Sequence, residues 1–149
     1  MTVARLAARC CELLGAVEGP VIVQPPGGPL AVAIGQRVEV AEASHAAGTP
    51  AAAVCTFLGL RAEAPMRQAR LGALATRLPR EARVVVVDYN QPRVWWRRVL
   101  GAALLALRGF PPARARYPVA RELRDHGFAI ERLCLAAGER VQLVVGRRA

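Results

Sequence analysis

Nine residues in the middle of the chain, Ala82-Arg83-Val84-Val85-Val86-Val87-Asp88-Tyr89-Asn90, restrict the fold more than any other stretch. Four β-branched side chains in succession favour extended backbone, and successive strand residues point to opposite faces. An unbroken apolar run must therefore be covered on both faces, which predicts a strand inside a parallel sheet with helices above and below. Open sheets of that kind bind ligands just beyond their strand C-termini, so function is expected at the polar tip, Asp88 and Tyr89.

The flanking segments alternate helical and strand-like patterns. Val3 to Leu14 repeats Val3, Leu6, Cys10 and Leu13 at helical spacing and is expected to end at Gly15. Val21 to Val23 reads as a short buried strand that runs into Gln24-Pro25-Pro26-Gly27-Gly28-Pro29. That segment is a loop, because its prolines lack amide donors and its glycines permit positive φ. Leu30 to Ile34 makes a helical turn or two, Arg37 to Ala41 a second strand with Glu42 at its tip, and Ala51 to Leu58 a third strand. Met66 to Leu78 is a helix with Leu71, Leu74, Ala75 and Leu78 as its core stripe and Arg67, Arg70 and Arg77 outward. Beyond the valine strand come helices over Val94 to Arg108 and Tyr117 to His126, the latter capped by Gly127. Phe128 to Leu135 and Arg140 to Val145 are strands whose connection suits an antiparallel hairpin.

At 149 residues, the sequence is expected to form one domain, residues 1–149, large enough to bury a core without disulfides or metals. Its composition, 54% hydrophobic with 21% charged, argues against a disordered chain. Cys10, Cys11, Cys55 and Cys134 form no CxxC pair and have no histidine at zinc spacing, so free buried thiols are expected. His45 and His126 are far apart and suggest no nucleophile–base pair. The longest apolar helical stretch, Val99 to Leu107, is far shorter than the roughly 20 residues a membrane span requires. No secretory signal is legible, so the expected location is cytoplasmic. All 21 basic residues are arginine and the formal net charge is +10, which could attract nucleic acid, acidic lipid or an anionic substrate. Seven arginines occur from Arg93 to Arg121 without one acid between them.

From Pro79 to Arg148 the order strand, helix, helix, strand, strand resembles the C-terminal half of class I S-adenosylmethionine-dependent methyltransferases. The resemblance implies a Rossmann-like three-layer α/β sandwich with a mostly parallel sheet of about six strands and a C-terminal antiparallel hairpin. In that family the first strand leads into an acidic-x-Gly-x-Gly-x-Gly loop, and an acid at the second strand's tip holds the ribose hydroxyls. Here Val23 stands where the first acid belongs, Pro25 and Pro29 replace two glycines, and Gly27 keeps its place. Glu42 matches the ribose-binding acid. Eight residues separate Glu42 from Ala51, too few for the helix and third strand of the family, so Ala51 to Leu58 resembles its fourth strand with Phe57 as the aromatic tip.

The resemblance implies S-adenosylmethionine as cofactor, held by Gly27, Gly28, Glu42 and Phe57, with Asp88 and Tyr89 orienting an acceptor amine or hydroxyl. Without it, Asp88 simply bonds the loop that follows, and Glu42 is a surface carboxylate at a strand end. Trp95 and Trp96, flanked by Arg93, Arg97 and Arg98, could stack on a ring or lie among lipid headgroups; the plainer expectation is one indole in the core, covered by the other. Two other functions are open. One is a non-catalytic, methyltransferase-derived binding or assembly module, homo-oligomeric through its sheet edges. The other is a nucleic-acid or anionic-membrane binder using Arg93 to Arg121.

Overall fold

The computed structural model describes residues 1–41, 49–58, 64–107 and 118–149. Along the chain run α1 (Val3–Leu14), β1 (Val21–Gln24), α2 (Pro29–Gly35), β2 (Val40–Ala41), β3 (Ala52–Thr56) and α3 (Ala64–Arg77). They are followed by β4 (Arg83–Tyr89), α4 (Trp95–Leu107), α5 (Pro118–Asp125), β5 (Phe128–Ala136) and β6 (Val141–Arg148). Glu42 and His45, together with Arg108, Arg114 and Arg116, lie outside the described residues.

Val84, Val85, Val86 and Val87 are completely buried, and their alternation divides the interior into two apolar layers. Val85 and Val87 pack with Leu6, Leu14, Leu30 and Ile34 from α1 and α2. Val84 and Val86 pack with Leu71 and Leu74 of α3 and with Val119 and Leu123 of α5. At roughly 1.5–3 kcal/mol for each fully buried aliphatic side chain, this one strand anchors both layers.

The sheet order is β2-β1-β3-β4-β6-β5, so β4 lies inside it, as the valine run requires. The first four strands are parallel, and β6 runs antiparallel to both β4 and β5. This is the expected α/β arrangement, a mostly parallel sheet finished by an antiparallel hairpin. A register shift between Ile130 and Arg132 bends the edge strand β5.

Several boundaries differ from the sequence reading for local reasons. The second strand shrinks to Val40–Ala41 because the amides of Arg37 and Val38 both donate to the Ile34 carbonyl, prolonging the turn after α2. β3 stops at Thr56, whose hydroxyl accepts the Leu58 amide. β6 continues to Arg148, where the chain also pairs with Ala82. Gly127 takes φ +77 behind α5, and a Cβ there would come 2.6 Å from Arg148 Nη1, so glycine satisfies both backbone and space. Among the described residues no helix is long and apolar enough to cross a membrane, and no group of His, Cys, Asp and Glu could hold a metal ion.

Candidate functional site

Four parallel strands deliver Gln24, Ala41, Thr56 and Tyr89 as their last residues to one edge of the sheet. The register sets Gln24 beside Cys55 and Thr56 beside Val87, so Pro25 to Gly28, Phe57 and Tyr89-Asn90 emerge together. The sheet thus gathers Gly27, Gly28, Phe57, Asp88 and Tyr89 at one edge, although they are distant in sequence.

Asp88 follows Val84 and Val86 in strand alternation and faces α3 and α5. Its Oδ2 accepts a hydrogen bond from Arg67 Nη2 at 2.6 Å, and its Oδ1 accepts the Tyr89 amide at 2.7 Å. Arg67 also donates through Nε to Glu122 Oε1 at 2.9 Å and through Nη2 to Glu122 Oε2 at 2.7 Å. The Arg67, Asp88 and Glu122 side chains are only 13%, 8% and 17% exposed. One guanidinium therefore clamps the tip of β4 to two helices. The same guanidinium lies 4.1 Å from the centre of the Phe57 ring, and Phe57 is itself buried. Asp88 thus bonds the backbone that follows it, as aspartates at strand ends do, and also anchors an arginine.

Burial pushes the Asp88 carboxyl above its usual range, and the Arg67 guanidinium opposes this without cancelling it. Burial also works against the charge of Arg67, but the hydrogen bonds and charges of Glu122 and Asp88 prevail and hold the guanidinium firmly protonated. The arrangement suits a rigid platform more than a proton-transfer group.

The opposite flank of the β4 tip is tied to the hairpin. Asn90 is buried, with Nδ2 donating to the Gln91 and Glu139 carbonyls at 3.2 and 2.9 Å. Gln142 Nε2 donates to the Tyr89 carbonyl at 2.8 Å, and Glu139 Oε2 accepts the Arg93 amide at 2.7 Å. Tyr89 is half-buried.

At the β1 tip, Gly27 has φ +71, and a Cβ built there would meet nothing within 4 Å. Only glycine holds that backbone without strain, and its outer face is open. Gly28 caps α2, accepting the Val32 amide at 3.1 Å. Pro25, Pro26 and Pro29 withhold three amide donors from this loop. Behind it are two polar ends buried without a hydrogen-bond partner, Gln24 Oε1 and Arg70 Nη1. Both adjoin Cys55: Gln24 is its strand neighbour, and Arg70 acts on its thiol electrostatically.

The sequence reading turned Arg67 and Arg70 outward, but both point inward. Arg67 stands four residues before Leu71 and seven before Leu74, on the core stripe of α3, so the helical period contained the signal. Glu122 and Gln24 were also missed: Glu122 belongs to no motif, and Gln24 occupies a variable position of the glycine-loop pattern. The Trp pair corrects a second expectation, since neither indole enters the core: Trp95 is 71% and Trp96 50% exposed. Two described clefts, of about 400 and 330 Å³, lie at the opposite edge of the sheet around Gly15, Arg83 and Ala51. There Arg83 and Arg147 both pair with Glu131, away from the strand tips.

No protein-family model matches the sequence, and no curated protein matches it. Solved structures do match in fold. The pyocyanin biosynthetic protein PhzM superposes with a TM-score of 0.68 at 18% identity, covering 99% of this chain and 54% of its own. Mitomycin 7-O-methyltransferase MmcR gives 0.67 at 17% identity, covering 99% and 53%. The chain therefore spans about half the length of these two proteins. Magnesium protoporphyrin IX methyltransferase ChlM of Synechocystis PCC 6803, solved with bound SAH, gives 0.55 at 16% identity, covering 99% and 82%. Strand order, hairpin and these superpositions agree: the chain has the fold of the class I S-adenosylmethionine-dependent methyltransferases.

Proposed function

We propose that the chain binds S-adenosylmethionine at the C-terminal edge of its sheet and serves methyl transfer there, in the cytoplasm. One observation carries the reading: an acceptor, Gln24 Oε1, and a donor, Arg70 Nη1, are buried without partners beside the β1 and β3 tips. Unsatisfied buried polar groups are rare and call for an explanation. The ammonium and carboxylate of an amino-acid end would satisfy one each, and the cofactor has such an end.

Under this reading the open side of Gly27 and the adjacent Gly28 let backbone approach the ligand. Glu42, the residue after Ala41 in the sequence, is the one we assign to the ribose hydroxyls. Phe57 forms a floor stiffened by Arg67, Asp88 positions that arginine, and Tyr89 orients the acceptor from the rim. Bound, the cofactor would supply an activated methyl group, and transfer to nitrogen or oxygen depends chiefly on alignment. The rigid clamp at Asp88 suits that demand.

The test is calorimetry with S-adenosylmethionine and SAH on the wild type, Gln24→Leu and Arg70→Met. Each substitution should weaken binding by about tenfold or more, the contribution of a hydrogen bond to a charged group. Neither should lower the urea midpoint, because each removes a buried polar end that lacks a partner. An absence of binding heat for the wild type at millimolar cofactor overturns the reading.

A second reading, a non-catalytic binding or assembly module derived from the same fold, is favoured by the commitment of the Asp88 carboxylate to Arg67. Cofactor binding without transfer of labelled methyl to any small molecule of a cell extract would support it.

A further inference from the structure

Helix α4 is turned inside out. Trp95, Trp96, Val99, Leu100, Leu104 and Leu107 are between 41% and 85% exposed. At about 3.6 residues per turn these six side chains occupy one half of the helix circumference. The least exposed described positions on the helix are the small residues Gly101 and Ala102, on its other side. An amphipathic helix on a soluble domain buries its large apolar face, and here that face points to solvent. The exposed apolar area is on the order of several hundred Å², enough to mark an interaction site.

The charges around this face indicate what covers it. Arg97 flanks the apolar half, with its guanidinium 5.1 Å from the centre of the Trp96 ring, and Arg98 lies on the opposite side. Arg93 precedes the helix, and no acid occurs in the sequence between Asp88 and Glu122. Glu139 is engaged at the start of this segment, where its carboxylate accepts the Arg93 backbone amide. A Trp- and Leu-rich half flanked in the sequence by arginines and by no acid is complementary to an apolar layer under negative charge.

We infer that α4 docks in the interface of an anionic phospholipid surface, its tryptophans and leucines below the headgroups and its arginines among the phosphates. The helix begins five residues beyond Asn90, so docking holds the strand tips at the lipid boundary. The inference stands independently of cofactor binding.

The only two tryptophans of the chain are Trp95 and Trp96, so tryptophan emission reports on this helix alone. The experiment mixes the full chain with phosphatidylcholine vesicles containing or lacking phosphatidylglycerol, and follows emission and co-sedimentation over a salt series. The expected result is a blue shift and sedimentation with the phosphatidylglycerol vesicles only, weakening as salt rises. Trp95→Ser/Trp96→Ser should abolish sedimentation, and Arg97→Gln/Arg98→Gln should weaken partitioning by about thirtyfold. All four positions are exposed, and an unchanged urea midpoint verifies that the variants fold. Absence of association with phosphatidylglycerol vesicles overturns the inference. So does a lipid-free dimer that already shields the tryptophans, or salt-sensitive binding to single-stranded DNA in place of vesicles.

Discussion

Replacing Arg67 by methionine tests the clamp at the centre of the site. The substitution keeps an unbranched apolar stem but removes the guanidinium, and so leaves Asp88 and Glu122, 8% and 17% exposed, without their counter-ion. Removing one partner of a buried ion pair costs about 3–5 kcal/mol, and here two carboxylates lose the same partner, so about 4 kcal/mol is expected. For a chain of this size that corresponds to roughly 10 °C in Tm. The loss should be pH-dependent. Without Arg67 the Asp88 carboxyl keeps only the Tyr89 amide to favour its ionised form, so the rise that burial already gives its folded pKa becomes larger. The folded variant then binds protons more tightly than the unfolded chain, and its stability falls as pH rises through the folded pKa. Urea denaturation followed by circular dichroism should show the full deficit near neutral pH and a smaller one near about pH 4. Arg67→Met/Asp88→Leu/Glu122→Leu should recover most of the loss, since apolar replacement of a whole buried cluster is often neutral. A deficit below about 1 kcal/mol at neutral pH, or one that deepens on acidification, would refute the clamp.

Gly127→Ala forces a Cβ onto φ +77 and against the Arg148 guanidinium. A loss of about 1–2 kcal/mol in chemical denaturation is expected, and an unchanged midpoint would mean that the backbone relaxes there. Burial pushes the Cys10 and Cys55 thiols up to about 12. In Ellman's assay near pH 8 both should react at least about a hundredfold more slowly in the folded chain than after unfolding, and labelling at the unfolded rate would show that these layers open. Asn90→Ala leaves the Glu139 carbonyl without its side-chain donor and should cost about 1–2 kcal/mol. Hydrogen exchange should then accelerate at the Arg140 amide, which donates to the Ala137 carbonyl in the same turn, and unchanged protection there would place the stability of the turn elsewhere.

Where burial dictates residue type, the sequence was legible. The valine run located β4 and its two covered faces, and the periodicity of Val3 to Leu14 gave α1 to the residue. The prolines and Gly27 marked the β1 loop for the same reason: backbone constraints are written in the residues that obey them. Side chains that satisfy each other across the fold leave weaker traces. Arg67 looked like a surface arginine because its two carboxylate partners stand 21 and 55 positions away in sequence. Trp95 and Trp96 misled in the opposite sense, since large aromatic residues on a helix normally denote core, and here both indoles are exposed. The second strand was overdrawn because hydrogen bonds from the preceding helix end compete for Arg37 and Val38.

The position of β6 has a consequence for synthesis. Val141–Arg148 follows the other five described strands in the sequence, yet it inserts between β4 and β5. Until it emerges from the ribosome, the valine-rich strand β4 keeps one row of amides and carbonyls unpaired. A nascent or truncated form ending before Val141 therefore presents a sticky valine edge able to capture strands of other chains. Such a product is expected to need chaperone protection or to be degraded, and β4 and β5 are joined only when β6 slides into the gap between them.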